Sequence, residues 1–181
     1  MFDDQKIIPA ISDHSALETF LKSDLHYGIL MNFQLAQLPG LIKKMKQNQK
    51  KVLIHLELIK GLSSDIYGAI FLIQNLGIDG IISIKPKVIE LSKKRGIIGI
   101  FRVFLKDSIS LHQSISIIKA LNPDALEVLP ALKTDIIDTL KRHTAAAILL
   151  GGLIEDEVTL KACLKAGACA ITTSKVALWE T

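Results

Sequence analysis

The feature that most constrains the fold is a regular alternation of short apolar runs with longer amphipathic segments. Eight short runs rich in Ile, Leu and Val alternate with stretches in which apolar residues recur at helical spacing. Strict alternation of strand and helix predicts a parallel sheet, because each helix carries the chain back to the edge where the previous strand began. The strands are apolar almost throughout, which is typical of a sheet covered on both faces.

Eight such units predict a compact (β/α)8 barrel that forms a single domain over residues 1–181. Barrels of this type usually have about 250 residues, so the loops here must be short. An open doubly wound sheet is the competing architecture. The predicted strands are residues 7–11, 27–32, 52–57, 80–83, 97–102, 125–129, 145–150 and 168–171. The predicted helices begin at residue 13 or 15 and end at 21, then cover 35–46, 64–76, 85–94, 108–121, 134–142 and 155–167, with a short eighth segment near 176–179.

The last two predicted strands end in glycines and hydroxyl side chains. One strand ends in Gly151 and Gly152, and the next ends in a run of hydroxyls that includes Thr173 and Ser174. Glycines let backbone N–H groups approach an anion closely, hydroxyls donate hydrogen bonds, and the positive ends of the following helices add partial charge. Loops after strands seven and eight form the phosphate site of many (β/α)8 barrels. These four residues are therefore predicted to bind the phosphate of a ligand.

Four polar residues interrupt apolar strands near their predicted C-terminal ends, where such barrels keep their sites. They are His55 and Glu57 in the third strand, Arg102 in the fifth and Glu127 in the sixth. An isolated buried charge is costly, so Arg102 is expected to pair with Glu57, Glu127 or an anionic ligand. The ring either binds the hydroxyls of a small phosphorylated ligand or forms an ion-pair network that only fills the barrel.

His55 and Glu57 also suggest a metal site or an acid–base pair. Two candidate ligands on one strand are weak support for a metal, so none is predicted.

Cys163 and Cys169 form no Cys-x-x-Cys motif, and reduced thiols in a cytoplasmic protein are the simplest interpretation. The acidic start of the chain is unlike a signal peptide, and its longest apolar run is too short to span a bilayer. No cofactor and no membrane association are predicted.

Basic residues cluster where predicted helices end. Lys and Arg number 22 against 18 Asp and Glu, a net charge of +4 that permits an anionic ligand or RNA. Cations at helix C-termini complement the helix dipole, which explains most of these clusters. In a barrel they also form a surface opposite the ligand site that suits an RNA backbone, although no RNA-recognition signature is present. The candidate RNA-binding residues are Lys43, Lys44, Lys46, Lys50, Lys51, Lys93, Lys94 and Arg95.

An ordered set of short motifs covers nearly the whole chain and resembles the glycerol uptake operon antiterminator regulatory proteins. Single elements such as Gly-Gly occur in many phosphate-binding barrels, whereas the ordered set is much more specific. The motifs are Ile8-Pro9-Ala10-Ile11, His55-Leu56-Glu57-Leu58-Ile59-Lys60-Gly61, Tyr67-Gly68-Ala69, Gly80-Ile81-Ile82-Ser83, Arg102-Val103-Phe104, Glu127-Val128-Leu129-Pro130, Gly151-Gly152-Leu153-Ile154 and Gly167-Ala168 through Thr172-Thr173-Ser174 to Leu178-Trp179.

The resemblance implies a non-enzymatic transcription regulator that binds glycerol 3-phosphate and acts on the leader mRNA of glycerol-utilisation operons. It carries the phosphate role to Gly151, Gly152, Thr173 and Ser174 and the polar ring to His55, Glu57, Arg102 and Glu127. The family commonly has Asp where this chain has Glu57 and Gln where it has Lys60. These departures bear on ligand affinity more than on fold.

Two other functions are compatible with the same residues. An enzyme acting on a small phosphorylated polyol or sugar, such as an isomerase, synthase or prenyl transferase, would use the same cradle, with His55 and Glu57 or Glu127 as acid–base groups. A phosphoester-binding barrel that pairs with another protein is the third hypothesis. The sequence leaves a homo-oligomer open.

Overall fold

The computed structural model describes residues 1–131 and 136–179 and confirms the predicted architecture. Eight parallel strands follow one another in chain order and close into a barrel, β8 pairing with β1. The strands are β1 Ile7–Ile11, β2 Tyr27–Leu30, β3 Lys51–His55, β4 Gly80–Ser83, β5 Ile98–Phe104, β6 Ala125–Leu129, β7 Ala147–Gly151 and β8 Ala170–Thr173.

Helices follow the strands on the outside of the barrel. The α-helices are α1 His14–Lys22, α2 Leu38–Gln47, α3 Ile66–Phe71, α4 Pro86–Lys94, α5 Ser108–Leu121, α6 Ile136–Lys141 and α7 Glu157–Lys165. A π-helical turn continues α3 over Leu72–Leu76, and a 3-10 turn, Val176–Leu178, occupies the place of the short eighth segment. The first residues of the helix predicted over 134–142 lie outside the described part of the chain. Among the described residues no helix is long and apolar enough to cross a membrane.

Side chains alternate in direction along each strand, so the barrel has an inner and an outer core. The outer core lies between the strands and the helices and includes Leu17, Phe20, Met45, Ile54 and Leu126. The inner core is a separate cluster to which every strand contributes: Ile8, Tyr27, Ile29, Leu53, Ile82, Ile100, Ala125, Leu149 and Ala170, with Phe2 closing the bottom. The residues two positions further along each strand therefore form the next inward layer, at the C-terminal mouth.

Strand boundaries differ from the predictions by a few residues. The third strand ends at His55 instead of continuing to Glu57, because the chain turns into a 3-10 segment, Leu56–Leu58. The second strand ends at Leu30, since Asn32 adopts a left-handed conformation with φ 63°. The eighth strand, by contrast, extends to Thr173. Glu57 therefore belongs to the loop layer above the barrel and not to a strand.

Candidate functional site

A cavity of about 380 Å3 opens at the C-terminal mouth of the barrel. It brings together residues from strands that are far apart in the sequence, as expected where parallel strands end at one edge. Ligand pockets of small molecules begin at about this size. The lining residues are Ala10, Ile29, Met31, Leu58, Arg102, Glu127, Leu129, Gly152, Leu153, Ile154, Glu155, Thr172, Thr173, Ser174 and Lys175.

The floor of the cavity holds a buried polar network built on Glu127. Arg102 Nε donates to Glu127 Oε2 at 2.6 Å, and Thr172 Oγ1 donates to Glu127 Oε1 at 2.7 Å. Arg102 and Glu127 are also neighbours in the register of β5 and β6. Arg102 thus pairs with Glu127, one of its two expected protein partners. Its terminal nitrogens donate to none of the described residues, so they remain available to a ligand.

Gly151 makes room for this network. It lies in the inward layer above Leu149, and a side chain there would overlap the Thr172 hydroxyl and approach Glu127 Oε1 to 3.4 Å. The cavity is lined by Gly152 and not by Gly151. The position of Gly151 therefore supports a structural role, while its predicted role in phosphate binding remains a prediction.

The rim of the cavity carries the groups suited to an anion. Gly152 and Leu153 both have positive φ, 76° and 58°, which turns the chain sharply after β7. The backbone N–H groups of Gly152, Leu153 and Ser174 donate no hydrogen bond to the described residues. Ser174 is exposed, and Lys175 next to it adds an ammonium group to the lining. Backbone N–H groups, a hydroxyl and a lysine lie together at one edge, and groups of these kinds bind phosphate in proteins.

The Thr173 hydroxyl is engaged within the protein. It donates to the carbonyl of Ile154 at 3.2 Å and accepts from the backbone N–H of Lys175 at 3.1 Å. Trp179 Nε1 donates to the Thr173 carbonyl at 3.1 Å. Thr173 therefore joins the loop after β7 to the loop after β8, and its side chain orders the rim on which Ser174 lies.

The N-terminus of α7, the helix after β7, has its positive charge reduced by nearby carboxylates. The carboxylate of Asp156 accepts from the backbone N–H of Thr159 at 2.7 Å and caps the N-terminus of α7, and Glu157 lies in the first turn. These carboxylates offset the positive end of the helix dipole. At the rim, Lys175 and the free N–H groups are therefore the main electropositive groups available to an anion, and Arg102 adds a guanidinium at the floor.

His55 and Glu57 lie close together beside the network. Glu57 Oε1 accepts from Ser83 Oγ at 2.5 Å and from the backbone N–H of Ile84 at 3.3 Å. His55 Nδ1 is 3.5 Å from Glu57 Oε2, but neither this oxygen nor either ring nitrogen has a hydrogen-bond partner among the described residues. Burial, together with the nearby charge of Arg102, lowers the pKa of His55 to about 3. The imidazole is therefore neutral at ordinary pH.

Most of the predicted RNA-binding lysines contact the protein itself. Lys44 pairs with Glu18, Lys51 Nζ lies 3.3 Å from Asp79 Oδ1, and Lys46 and Lys93 donate to the carbonyls of Gly77 and Asn122. Lys50 Nζ donates to the carbonyls of Ser23 and Leu25, and its burial lowers its pKa. Lys43, Lys94 and Arg95 are exposed. These contacts support the helix-end role, and RNA binding at this end remains a prediction.

Two residues of the site escaped the sequence-based prediction. Thr172 contributes the hydroxyl that reaches Glu127, although Thr173 was selected from the same run. Counting two residues from Ala170, an inward position, would have identified Thr172, but the register was not known from sequence. Lys175 lines the rim, and its place directly after Ser174 was the available signal. Within residues 1–131 and 136–179, no cluster of three or more His, Cys, Asp or Glu side chains could hold a metal.

Comparison with known proteins identifies the family to which the chain belongs. The family model described as glycerol-3-phosphate responsive antiterminator matches residues 7–179 of this chain. The chain belongs to this family. The match spans all eight strands and the whole rim, and it confirms the resemblance drawn from the ordered motifs.

Individual relatives extend over the same length. The crystal structure of the glycerol uptake operon antiterminator regulatory protein from Listeria monocytogenes is 34% identical, with a TM-score of 0.94, and the match covers 99% of this chain and 97% of that one. A glycerol uptake operon antiterminator-related protein from Thermotoga maritima is 28% identical over 100% of both chains, with a TM-score of 0.84. The uncharacterised Escherichia coli protein YgcP is 27% identical over 96% of this chain and 91% of its own length.

More distant barrels share only the architecture. Deoxyribose phosphate aldolase from Aeropyrum pernix has a TM-score of 0.75 at 14% identity, covering 97% of this chain and 88% of that one. At this identity the likeness shows the fold alone, because one barrel supports many unrelated functions.

Proposed function

We propose that this protein is a transcription antitermination regulator that senses glycerol 3-phosphate and binds the leader mRNA of glycerol-utilisation operons. The observation that carries the proposal is the coincidence of the family match with a small cavity whose rim offers unpaired N–H groups, Ser174 and Lys175. Glycerol 3-phosphate has a phosphate, which suits the rim, and a short polyol, which suits the floor.

The proposed binding mode follows from the two levels of the cavity. The phosphate would lie at the rim, where the N–H groups of Gly152 and Ser174 and the ammonium of Lys175 meet it. The glycerol hydroxyls would point to the floor, where the free nitrogens of Arg102 can donate to them. The Glu127 carboxylate is already paired with Arg102, while the carboxylate of Glu155, which also lines the cavity, disfavours a ligand with a second anionic group.

The floor is arranged for binding more than for proton transfer. Both carboxylate oxygens of Glu127 accept a hydrogen bond from the protein, which leaves this group poorly placed to take a substrate proton. His55 is outside the cavity lining and its depressed pKa makes it a weak base. These features favour a sensor over an enzyme that uses His55 and Glu127 as its acid–base pair.

Sensing requires that the ligand and the RNA prefer the same conformation. Glycerol 3-phosphate can raise the population of one conformation only by as much as its affinity differs between the two. The loops joined by Thr173 are suitable movable parts, because they carry the rim and are held together by a few hydrogen bonds. In this mechanism the liganded conformation binds leader RNA more tightly.

Calorimetric titration tests the ligand half of the proposal. The wild-type protein is titrated with glycerol 3-phosphate, glycerol and inorganic phosphate, together with Ser174→Asp and the matched variant Ser116→Asp. Both serines are exposed, but only Ser174 lines the cavity, while Ser116 lies on α5. A carboxylate at 174 would repel the phosphate without the backbone strain that a side chain at Gly152 introduces.

The expected result is binding of glycerol 3-phosphate alone, lost in Ser174→Asp and kept in Ser116→Asp. No binding to the wild-type protein would contradict the sensor proposal. In that case a wider screen of small phosphoesters, with turnover measured, would test the enzyme hypothesis.

A further inference from the structure

The exposed aromatic side chains lie on α3 and at the end of β5. Tyr67 and Phe71, which are 73% and 38% exposed, lie one turn apart on α3, and Phe104 at the end of β5 is 49% exposed. Because β3, β4 and β5 are adjacent, these side chains belong to one region, the β3–β5 sector, formed by the loops after these strands and by α3. The other six aromatic residues are buried: Phe2, Phe20, Tyr27, Phe33, Phe101 and Trp179.

Lysines surround these aromatic side chains. Lys85 lies in the loop after β4, Lys106 lies in the loop after β5, and Lys87 lies next to the sector in the first turn of α4; all three are exposed. Two acidic residues of the same sector, Asp65 and Asp107, cap α3 and α5 and accept hydrogen bonds from backbone N–H groups there. The third, Glu57, accepts from Ser83 Oγ and from the backbone N–H of Ile84. The positive helix ends partly offset the negative charges of Asp65 and Asp107.

We propose that the β3–β5 sector binds single-stranded RNA, an inference that rests on the proposed function and locates its RNA surface. Unpaired bases stack on exposed aromatic side chains, and nearby lysines contact the phosphates. The basic end of the barrel has lysines but no exposed aromatic side chain among the described residues. Five of its eight candidate cations contact the protein itself, whereas in the sector Lys85 Nζ donates to Ser64 Oγ. Within residues 1–131 and 136–179, exposed aromatic side chains and exposed lysines occur together only in the β3–β5 sector.

The sector is directly connected to the ligand cavity through β5. Arg102 lies on the cavity floor, and Phe104 is the next residue on the same face of that strand. Glu57 accepts from Ser83 and Ile84, which joins the loops after β3 and β4 beside the same cavity. A ligand that engages Arg102 therefore acts on the strand that presents Phe104, which gives a short route from ligand to RNA.

The test measures RNA affinity by fluorescence anisotropy with an RNA selected from a random-sequence pool on wild-type protein in glycerol 3-phosphate. Phe104→Leu and Tyr67→Leu keep apolar bulk and remove the aromatic ring, and Phe104→Trp restores a ring. The control variant combines Lys43→Ala, Lys94→Ala and Arg95→Ala, the three exposed cations of the opposite end. Calorimetry with glycerol 3-phosphate checks that Tyr67→Leu, which lies outside the cavity lining, retains a folded site.

Each leucine variant is expected to bind the RNA about tenfold more weakly or worse, because stacking on one base contributes that much. Phe104→Trp is expected to bind like the wild type, and the control to change little. Normal binding by both leucine variants, with loss in the control, would overturn the inference and leave the proposed function intact. If the leucine variants bind RNA normally but light scattering shows that they no longer self-associate, the sector is an interface between copies of this chain, and the inference is wrong. If no RNA is selected, the RNA part of the proposed function fails, and this inference fails with it.

Discussion

Gly151 shows how a single missing side chain shapes the floor of the site. In Gly151→Ala the new Cβ would overlap the Thr172 hydroxyl and displace it from Glu127. An unsatisfied buried acceptor costs about 1–3 kcal/mol, so we expect a loss of that size in the free energy of unfolding. Urea denaturation measures it, with Gly40→Ala as control, since a side chain at Gly40 would contact nothing within 4 Å. Equal stability of Gly151→Ala and the wild type would show that the network does not need this space.

His55 should make stability depend on pH. Its pKa falls from about 6.5 in the unfolded chain to about 3 in the folded protein, mainly because burial disfavours the imidazolium. Between these two values the unfolded chain binds more protons, so the free energy of unfolding decreases as the pH falls from 6.5 towards 3. His55→Gln should remove this contribution.

The measurement is urea denaturation of the wild type, His55→Gln and the control His112→Gln at several pH values across that window. His112 is exposed on α5 and controls for the replacement of a histidine by glutamine away from the buried network. A His55→Gln protein that loses stability with acidification as steeply as the wild type would contradict the assignment.

At the scale of elements, Thr173 tests whether the order of the rim controls ligand affinity. Thr173→Val removes the hydroxyl that joins Ile154 to Lys175 and keeps the shape of the side chain. We expect affinity for glycerol 3-phosphate to fall about fivefold or more, because the rim loses both hydrogen bonds of this hydroxyl and the loss of one costs about 1 kcal/mol. Thr173→Ser keeps the hydroxyl and should retain most of the affinity. Calorimetry on both variants decides, and equal affinities would show that this link does not order the binding rim.

The strands show which features of the fold can be predicted from sequence alone. Apolar runs bounded by Gly, Pro and polar residues located all eight strands, because a barrel strand is buried on both faces. Strand ends were less certain: Glu57 was placed in β3 by alternation, although a 3-10 turn begins at Leu56. Pairing register was unknown, so Thr172 could not be distinguished from Thr173. From sequence, the pairing of Arg102 with Glu127 is one of three alternatives, and the register of β5 and β6 in the structure selects it.

At the scale of the whole molecule, the two ends of the barrel have different roles in this account. The N-terminal end concentrates lysines that accompany helix ends, and many of them bond to the protein's own carbonyl and carboxylate groups. The C-terminal mouth holds the cavity, the rim and the exposed aromatic side chains. Placing the ligand and the RNA at one mouth makes their coupling a property of shared loops and of β5.

A regulator that senses glycerol 3-phosphate must couple ligand binding to RNA binding, and this coupling can be measured in both directions. The affinity of the selected RNA is measured with and without saturating glycerol 3-phosphate, and the affinity of glycerol 3-phosphate with and without the RNA. Linkage requires the two ratios to be equal, and coupling energies of 1–3 kcal/mol are typical, so both ratios should be about 5- to 150-fold. An RNA affinity that glycerol 3-phosphate leaves unchanged would contradict the claim that this protein is a metabolite-responsive regulator.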